Sequence, residues 1–237
     1  MKTAALYICG RLVVAKSHLE AYQQLSEAEK ESQMISGFYD SETGEFCADK
    51  LKDHFYRKKM LLMRHGQSQQ NSIDPDLTAQ GVEETEEVTK YLGQFDLSGF
   101  KAYVSPLLRC LKTANIIQSN INIDFEVKED IIETPTFLKE GESVHIQNRQ
   151  NEFPQFQWKT DQDFCLHHEE ECDFIERISQ VLKLLPQKSI LVSHFGVVTN
   201  IAKLALCGEK CQETGIPTAS LTYINDQKVM CYGKVIE

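Results

Sequence analysis

Long apolar runs are missing from this chain of 237 residues. Crossing a bilayer takes a helix of about 18 or more apolar residues, so no membrane-spanning segment is expected. Positive charge is also scarce: 25 Lys and Arg face 35 Asp and Glu, for a net charge of −10. Non-specific binding to nucleic acid or to an anionic membrane needs a basic surface, so neither partner is expected. The 8 cysteines form no CxxC pair and show no Cys/His ligand spacing of a zinc site. They read as reduced thiols of a cytoplasmic protein, with no metal and no cofactor expected. Repeats and low-complexity segments are absent as well. The apolar stretch near Met1 is interrupted by Arg11 and lacks a small-residue cleavage site, so it reads as part of the fold. The segment between Lys159 and Arg177 is acidic, with Glu169, Glu170 and Glu171 in a row, and reads as a solvated face.

What remains is an alternation of short apolar runs with amphipathic stretches from Met60 onward. This pattern predicts a largely parallel sheet. Met60–Met63, Ala102–Val104 and Ile190–Val192 read as strands. Thr78 is placed to cap a helix carrying Val82, Thr85, Val88 and Leu92 on one face. Ser105 and Pro106 read as the cap and first residue of a second helix. Phe174, Ile175, Ile178, Val181, Leu182 and Leu185 mark a third, stopped by Pro186. Val197–Leu206 marks a fourth, with Gly208 past its end. Leu221–Ile224 and Val229–Tyr232 read as a hairpin. Residues 1–57 suggest a strand over Ala5–Val14, a polar helix over Leu19–Lys30 and a hairpin across Gly37–Phe46.

Each of the three strands is followed by side chains suited to phosphate: Arg64 and His65, then Arg109, then His194. Parallel sheets gather ligands at the carboxyl ends of their strands, so these groups are expected to converge. Arginine stays charged and bonds phosphate oxygens in pairs.

The string Arg64-His65-Gly66-Gln67-Ser68-Gln69-Gln70-Asn71 resembles the RHGxSxxN signature of the histidine phosphatase superfamily, the phosphoglycerate mutase-like group. Leu77-Thr78-Ala79-Gln80-Gly81 resembles its LTxxG helix start, and Ser105 to Ala114 its SPxxRxxxTA segment. Asp130-Ile131-Ile132-Glu133 is similar to its DxxE stretch, and Ile190 to Gly196 to its strand ending in HG, with Phe195 between His194 and Gly196. The resemblance runs from about Lys59 to Gly208. It implies a three-layer α/β/α fold with a mostly parallel central sheet, formed by residues 58–237. Residues 1–57 are then an extension, expected to pack on this domain or on a second copy of the chain as a homodimer.

The resemblance also implies roles. His65 would attack phosphorus as a neutral imidazole and become phosphohistidine. Arg64, Arg109 and a protonated His194 would hold the equatorial oxygens, and Asn71 would add a neutral donor. Gly66 would let the backbone approach the phosphate closely. Glu133 would be the general acid, with Glu140 and Glu142 as nearby alternatives and a solvated loop residue as the bland one. Mutases of the group carry a longer, Gly-Trp-containing insertion before the LTxxG helix; here only Ser72–Asp76 lie between Asn71 and Leu77. A phosphatase acting on a phosphorylated small molecule or a phosphoprotein is therefore expected. The alternatives are mutase-type transfer and a non-catalytic module that binds phospho-ligands. Residues 134–170, with Phe137, Phe153, Phe156, Trp158 and Phe164, are expected to roof the pocket, although most of these rings suit core packing.

Overall fold

The computed structural model describes residues 2–8, 11–15, 24, 34–40, 45–48, 58–70, 72–133, 138–206, 216–225 and 228–234. At its centre is a six-stranded sheet built from β5 (Lys59–Arg64), β6 (Lys101–Val104), β7 (Phe125–Val127), β10 (Lys188–Ser193), β11 (Leu221–Asn225) and β12 (Lys228–Lys234). The strand order is β12-β11-β5-β10-β6-β7. β5, β10, β6 and β7 run parallel, and the β11–β12 hairpin adds antiparallel to β5.

Strand periodicity divides the apolar run of β5 between two cores. Leu61 and Met63 join Val192, Val88, Leu92 and Leu111 on one face, beneath α1 (Ala79–Leu92) and α2 (Leu108–Asn120). Met60 and Leu62 join Leu191, Ile178, Leu182 and Ile201 on the other, beneath α3 (Glu171–Leu184) and α4 (Phe195–Leu206). Burial on both faces is why β5 reads as an unbroken apolar run rather than an alternating one. The expected three-layer architecture is therefore present. Among the described residues no helix is long and apolar enough to cross a membrane.

Helix ends show where sequence rules hold and where tertiary contacts replace them. Thr78 caps α1 as expected, its hydroxyl accepting from Gly81 N at 3.0 Å. Ser105 does not cap α2. That helix starts at Leu108, and its first amide donates 2.7 Å to the carboxylate of Asp74, from a loop elsewhere in the chain. Lys58, buried, donates to the carbonyls of Leu182 (2.9 Å) and Leu185, filling the vacant acceptors at the end of α3.

The remaining strands are β8 (Ser143–Ile146) and β9 (Phe164–His167), a separate antiparallel pair. Of the expected roof aromatics, Phe153 and Phe156 stack 5.7 Å apart within the core, and Trp158 stacks on Phe164 at 6.3 Å. These rings pack; Phe137 lies outside the described residues. In the extension, β1 (Lys2–Ile8), β2 (Arg11–Ala15), β3 (Met34–Asp40) and β4 (Glu45–Ala48) form an antiparallel sheet in the order β2-β1-β3-β4. The single strand expected over Ala5–Val14 is in fact two, paired with Ile8 opposite Arg11. The β3–β4 pair is the expected hairpin. The helix expected over Leu19–Lys30, and the side chains that would pack this sheet on the main domain, lie outside the described residues.

Candidate active site

The carboxyl ends of β5, β6 and β10 are tied together by backbone hydrogen bonds beyond the ladders. His65 N donates to Ser193 O (2.9 Å), Ser105 N to Val192 O (3.1 Å) and Ala219 N to His65 O (3.0 Å). The segments carrying His65, Ser105 and His194 therefore leave the sheet with almost no freedom.

Two glycines let the chain turn here. A Cβ on Gly66 would stand 2.4 Å from Gly81 O, and one on Gly81 would stand 2.1 Å from Gln67 O. The contact is between the RHG segment and the first turn of α1. Gly66 N donates to Thr113 Oγ1 at 3.1 Å. The absence of a side chain at Gly66 serves close approach to α1, and its amide is taken by Thr113.

His65 is 6% exposed, and its Nδ1 lies 2.8 Å from Gly66 O, which places the ring proton on Nδ1. Nε2 is left with its lone pair, toward which Arg109 Nε points at 3.2 Å. Burial first, then the Arg109 charge, lowers the pKa of His65 to about 3. A neutral imidazole with its nucleophilic nitrogen beside a guanidinium is the result.

His194 is fully buried and meets His65 edge-on at 5.3 Å between ring centres. Arg109 Nη2 lies 3.1 Å from its Nδ1, and Ser105 Oγ lies 2.7 Å from its Nε2. Because arginine can only donate, Nδ1 must accept and Nε2 carries the proton toward Ser105. Burial, followed by the charge of Arg109, lowers the His194 pKa well below the ordinary value. His194, expected from sequence to be protonated, is thus neutral in this geometry. Ser105, expected to be a helix cap, is instead a hydrogen-bond partner of this imidazole, and sequence spacing alone carries no signal for that.

Arg64 donates to Ile216 O at 2.5 Å, and its guanidinium lies 5.5 Å from the ring centre of Phe195. Glu133 feels the same arginine electrostatically and accepts from Gly196 N at 2.9 Å, at the amino end of α4 next to His194. It is therefore not a solvated loop residue. Glu142 is instead engaged with Lys139 N at 2.9 Å, in the exposed turn that also holds Glu140. The fold brings Arg64, His65, Arg109, His194 and Glu133 to one point; Asn71 lies outside the described residues. Two guanidiniums and the amino end of α4 give this point a positive field.

A cavity of about 780 Å³ lies at the amino ends of β6 and β7 among Phe95, Phe100, Tyr103 and Glu126, away from both histidines. Among the described residues no group of three or more His, Cys, Asp or Glu could hold a metal ion.

The family model for the histidine phosphatase superfamily, branch 1, matches residues 60–228. The chain belongs to that superfamily. A 2,3-bisphosphoglycerate-dependent phosphoglycerate mutase 2 of Bacteroides thetaiotaomicron is 37% identical over 75 residues, covering 29% of this chain and 30% of the mutase. The match thus spans under a third of that relative. Among solved structures, the Bombyx mori ecdysone phosphate phosphatase in complex with tungstate superposes with a TM-score of 0.54 at 12% identity, over 74% of this chain and 93% of that one. A mycobacterial glucosyl-3-phosphoglycerate phosphatase gives 0.52 at 15% identity, over 74% and 98%. At such identities the likeness is one of fold. The superfamily fold occupies the part of the chain that carries the five residues above.

Proposed function

We propose that the chain is a phosphatase that hydrolyses a phosphomonoester through phosphohistidine at His65. The observation that carries this reading is the state of His65: buried, neutral, with Nδ1–H anchored on Gly66 O and Nε2 directed at Arg109. A nucleophile that must attack a dianion has to be uncharged, unprotonated at the attacking atom and surrounded by positive charge.

In the proposed reaction the phosphate displaces the Arg109–His65 contact. Arg64 and Arg109 then hold its oxygens. The dianion offsets burial and the arginine field at His194, which takes up a proton and donates as well. Nε2 of His65 bonds to phosphorus as the ester P–O bond breaks, and Glu133 protonates the leaving oxygen. Water then attacks the phosphohistidine and gives a proton back to Glu133. The P–N bond breaks and His65 is neutral again.

Hydrolysis is preferred to transfer because Ser72–Asp76 is short and partly committed elsewhere. Asp74 caps α2 and pairs with Arg149 at 3.3 Å, so this loop supports the scaffold rather than enclosing a substrate. Mutase-type transfer is the second reading, favoured by the Bacteroides relative over the stretch it matches. The free thiols Cys110 and Cys165 fit a reducing compartment, and a cytoplasmic location belongs to the proposal.

The test is phosphate release from p-nitrophenyl phosphate in EDTA, with rapid acid-free quenching to trap the intermediate. Base-stable, acid-labile phosphate on His65 is expected. Acid-stable phosphate on Ser or Thr would overturn the mechanism, a pure binder would show no turnover, and a mutase would interconvert phosphoglycerates faster than it releases phosphate.

A further inference from the structure

Glu133 reaches the site on a segment that no strand carries there. β7 stops at Val127, and a single 3₁₀ turn, Glu129–Ile131, precedes Ile132 and Glu133. The carbonyls of Asp130, Ile131 and Ile132 are held by side chains instead. Arg177 Nη1 donates to Asp130 O at 2.6 Å and to Ile132 O at 3.2 Å, and Ser193 Oγ donates to Ile131 O at 2.7 Å.

Arg177 is itself fixed on every side. Its Nε and Nη2 donate to the two oxygens of Glu169 at 2.8 and 2.7 Å, and its guanidinium lies 4.9 Å from the ring centre of Phe174. The pair is mostly covered, with side chains 24% and 20% exposed. The acidic stretch expected to be only a solvated face thus supplies Glu169 to an internal clamp.

We propose that Arg177 is a positioning residue: it grips the carbonyls of Asp130 and Ile132 so that Glu133 meets the leaving oxygen. The inference rests on the general-acid reading of Glu133. The planar fork of arginine binds two carbonyls and a carboxylate at once, which the single ammonium of lysine cannot do. Ile132 O is one residue from Glu133, so loosening this grip moves the acid, and a misplacement of about 1 Å in a reacting group can cost on the order of a hundredfold.

The experiment compares kcat on p-nitrophenyl phosphate, whose leaving group needs little protonation, with kcat on phenyl phosphate, whose leaving group needs more. Glu133→Gln is expected to lose about a hundredfold on phenyl phosphate and under about threefold on p-nitrophenyl phosphate. Arg177→Met is expected to reproduce that selectivity at about tenfold, as removal of an orienting group does. Arg177→Lys should not rescue it, and adding Arg177→Met to Glu133→Gln should cost nothing further on phenyl phosphate. If Glu133→Gln is selective and Arg177→Met loses equally on both substrates, Arg177 is a staple for α3 and the inference is overturned. If Glu133→Gln is itself unselective, the acid role falls and the positioning role with it. Should Arg177→Met fail to fold, Glu169→Gln carries the same comparison, with a selective loss of about threefold expected and an equal loss overturning the proposal.

Discussion

Two arms enter the site, and they are held in different ways. The RHG arm continues β5: backbone bonds to Ser193 and Ala219 extend the sheet past Arg64, and glycines at 66 and 81 let it lie against α1. The Glu133 arm leaves β7 early and is held by the side chains of Ser193 and Arg177, with Gly196 N on the carboxylate. Backbone bonding fixes His65, the proposed nucleophile, with little help from neighbouring side chains. Side-chain bonding makes the position of Glu133, the proposed acid, depend on a few replaceable residues. On the proposed function, a scaffold of this kind can change its leaving-group chemistry without disturbing the residues that would hold phosphate.

The largest effect should come from breaking the first arm chemically. His65→Ala is expected to abolish phosphate release, a loss of at least about a thousandfold, while the circular dichroism spectrum stays that of the wild type. Breaking the same arm structurally comes next. In Gly66→Ala the added methyl meets the carbonyl of Gly81, which cannot step aside, and overpacking of this sort costs about 1–3 kcal/mol. A lower urea midpoint at unchanged m-value would register it.

Acid should separate the arms without mutation. His65 is neutral when folded, with its pKa lowered to about 3 by burial and Arg109, whereas in the unfolded chain it titrates near the ordinary histidine value of 6.5. Between these two values the unfolded state binds the extra proton, so stability should fall as pH drops from about 6.5 toward 3. His194 acts in the same direction. The melting temperature of His65→Gln should fall less steeply across this window than that of the wild type; identical slopes would mean that the ring is already charged in the folded state.

The smallest effect belongs to the second arm. Ser193→Ala leaves Ile131 O without its donor, a loss of about 1–2 kcal/mol, and should lower turnover of phenyl phosphate more than that of p-nitrophenyl phosphate. An equal reduction on both substrates would show that the two arms are not separately held.

Much of the first arm was legible before any fold was known. The RHG string, the Thr78 cap and the apolar run of β5 are local patterns, since strand hydrophobicity and cap chemistry act over a few neighbouring residues. The sequence by itself therefore determined β5, β6 and β10, the helices that alternate with them and the candidate phosphate-binding residues, but not the short strands β7, β8 and β9. Only the tertiary structure decided that Asp74 rather than Ser105 caps α2, that Ser105 holds the proton of His194, that His194 is neutral and that Arg177 grips the segment bearing Glu133. Each of these joins groups 34 to 89 residues apart. Such contacts rest on burial and on which orphan donor or acceptor lies within reach, and neither is written in the spacing of residues along a chain.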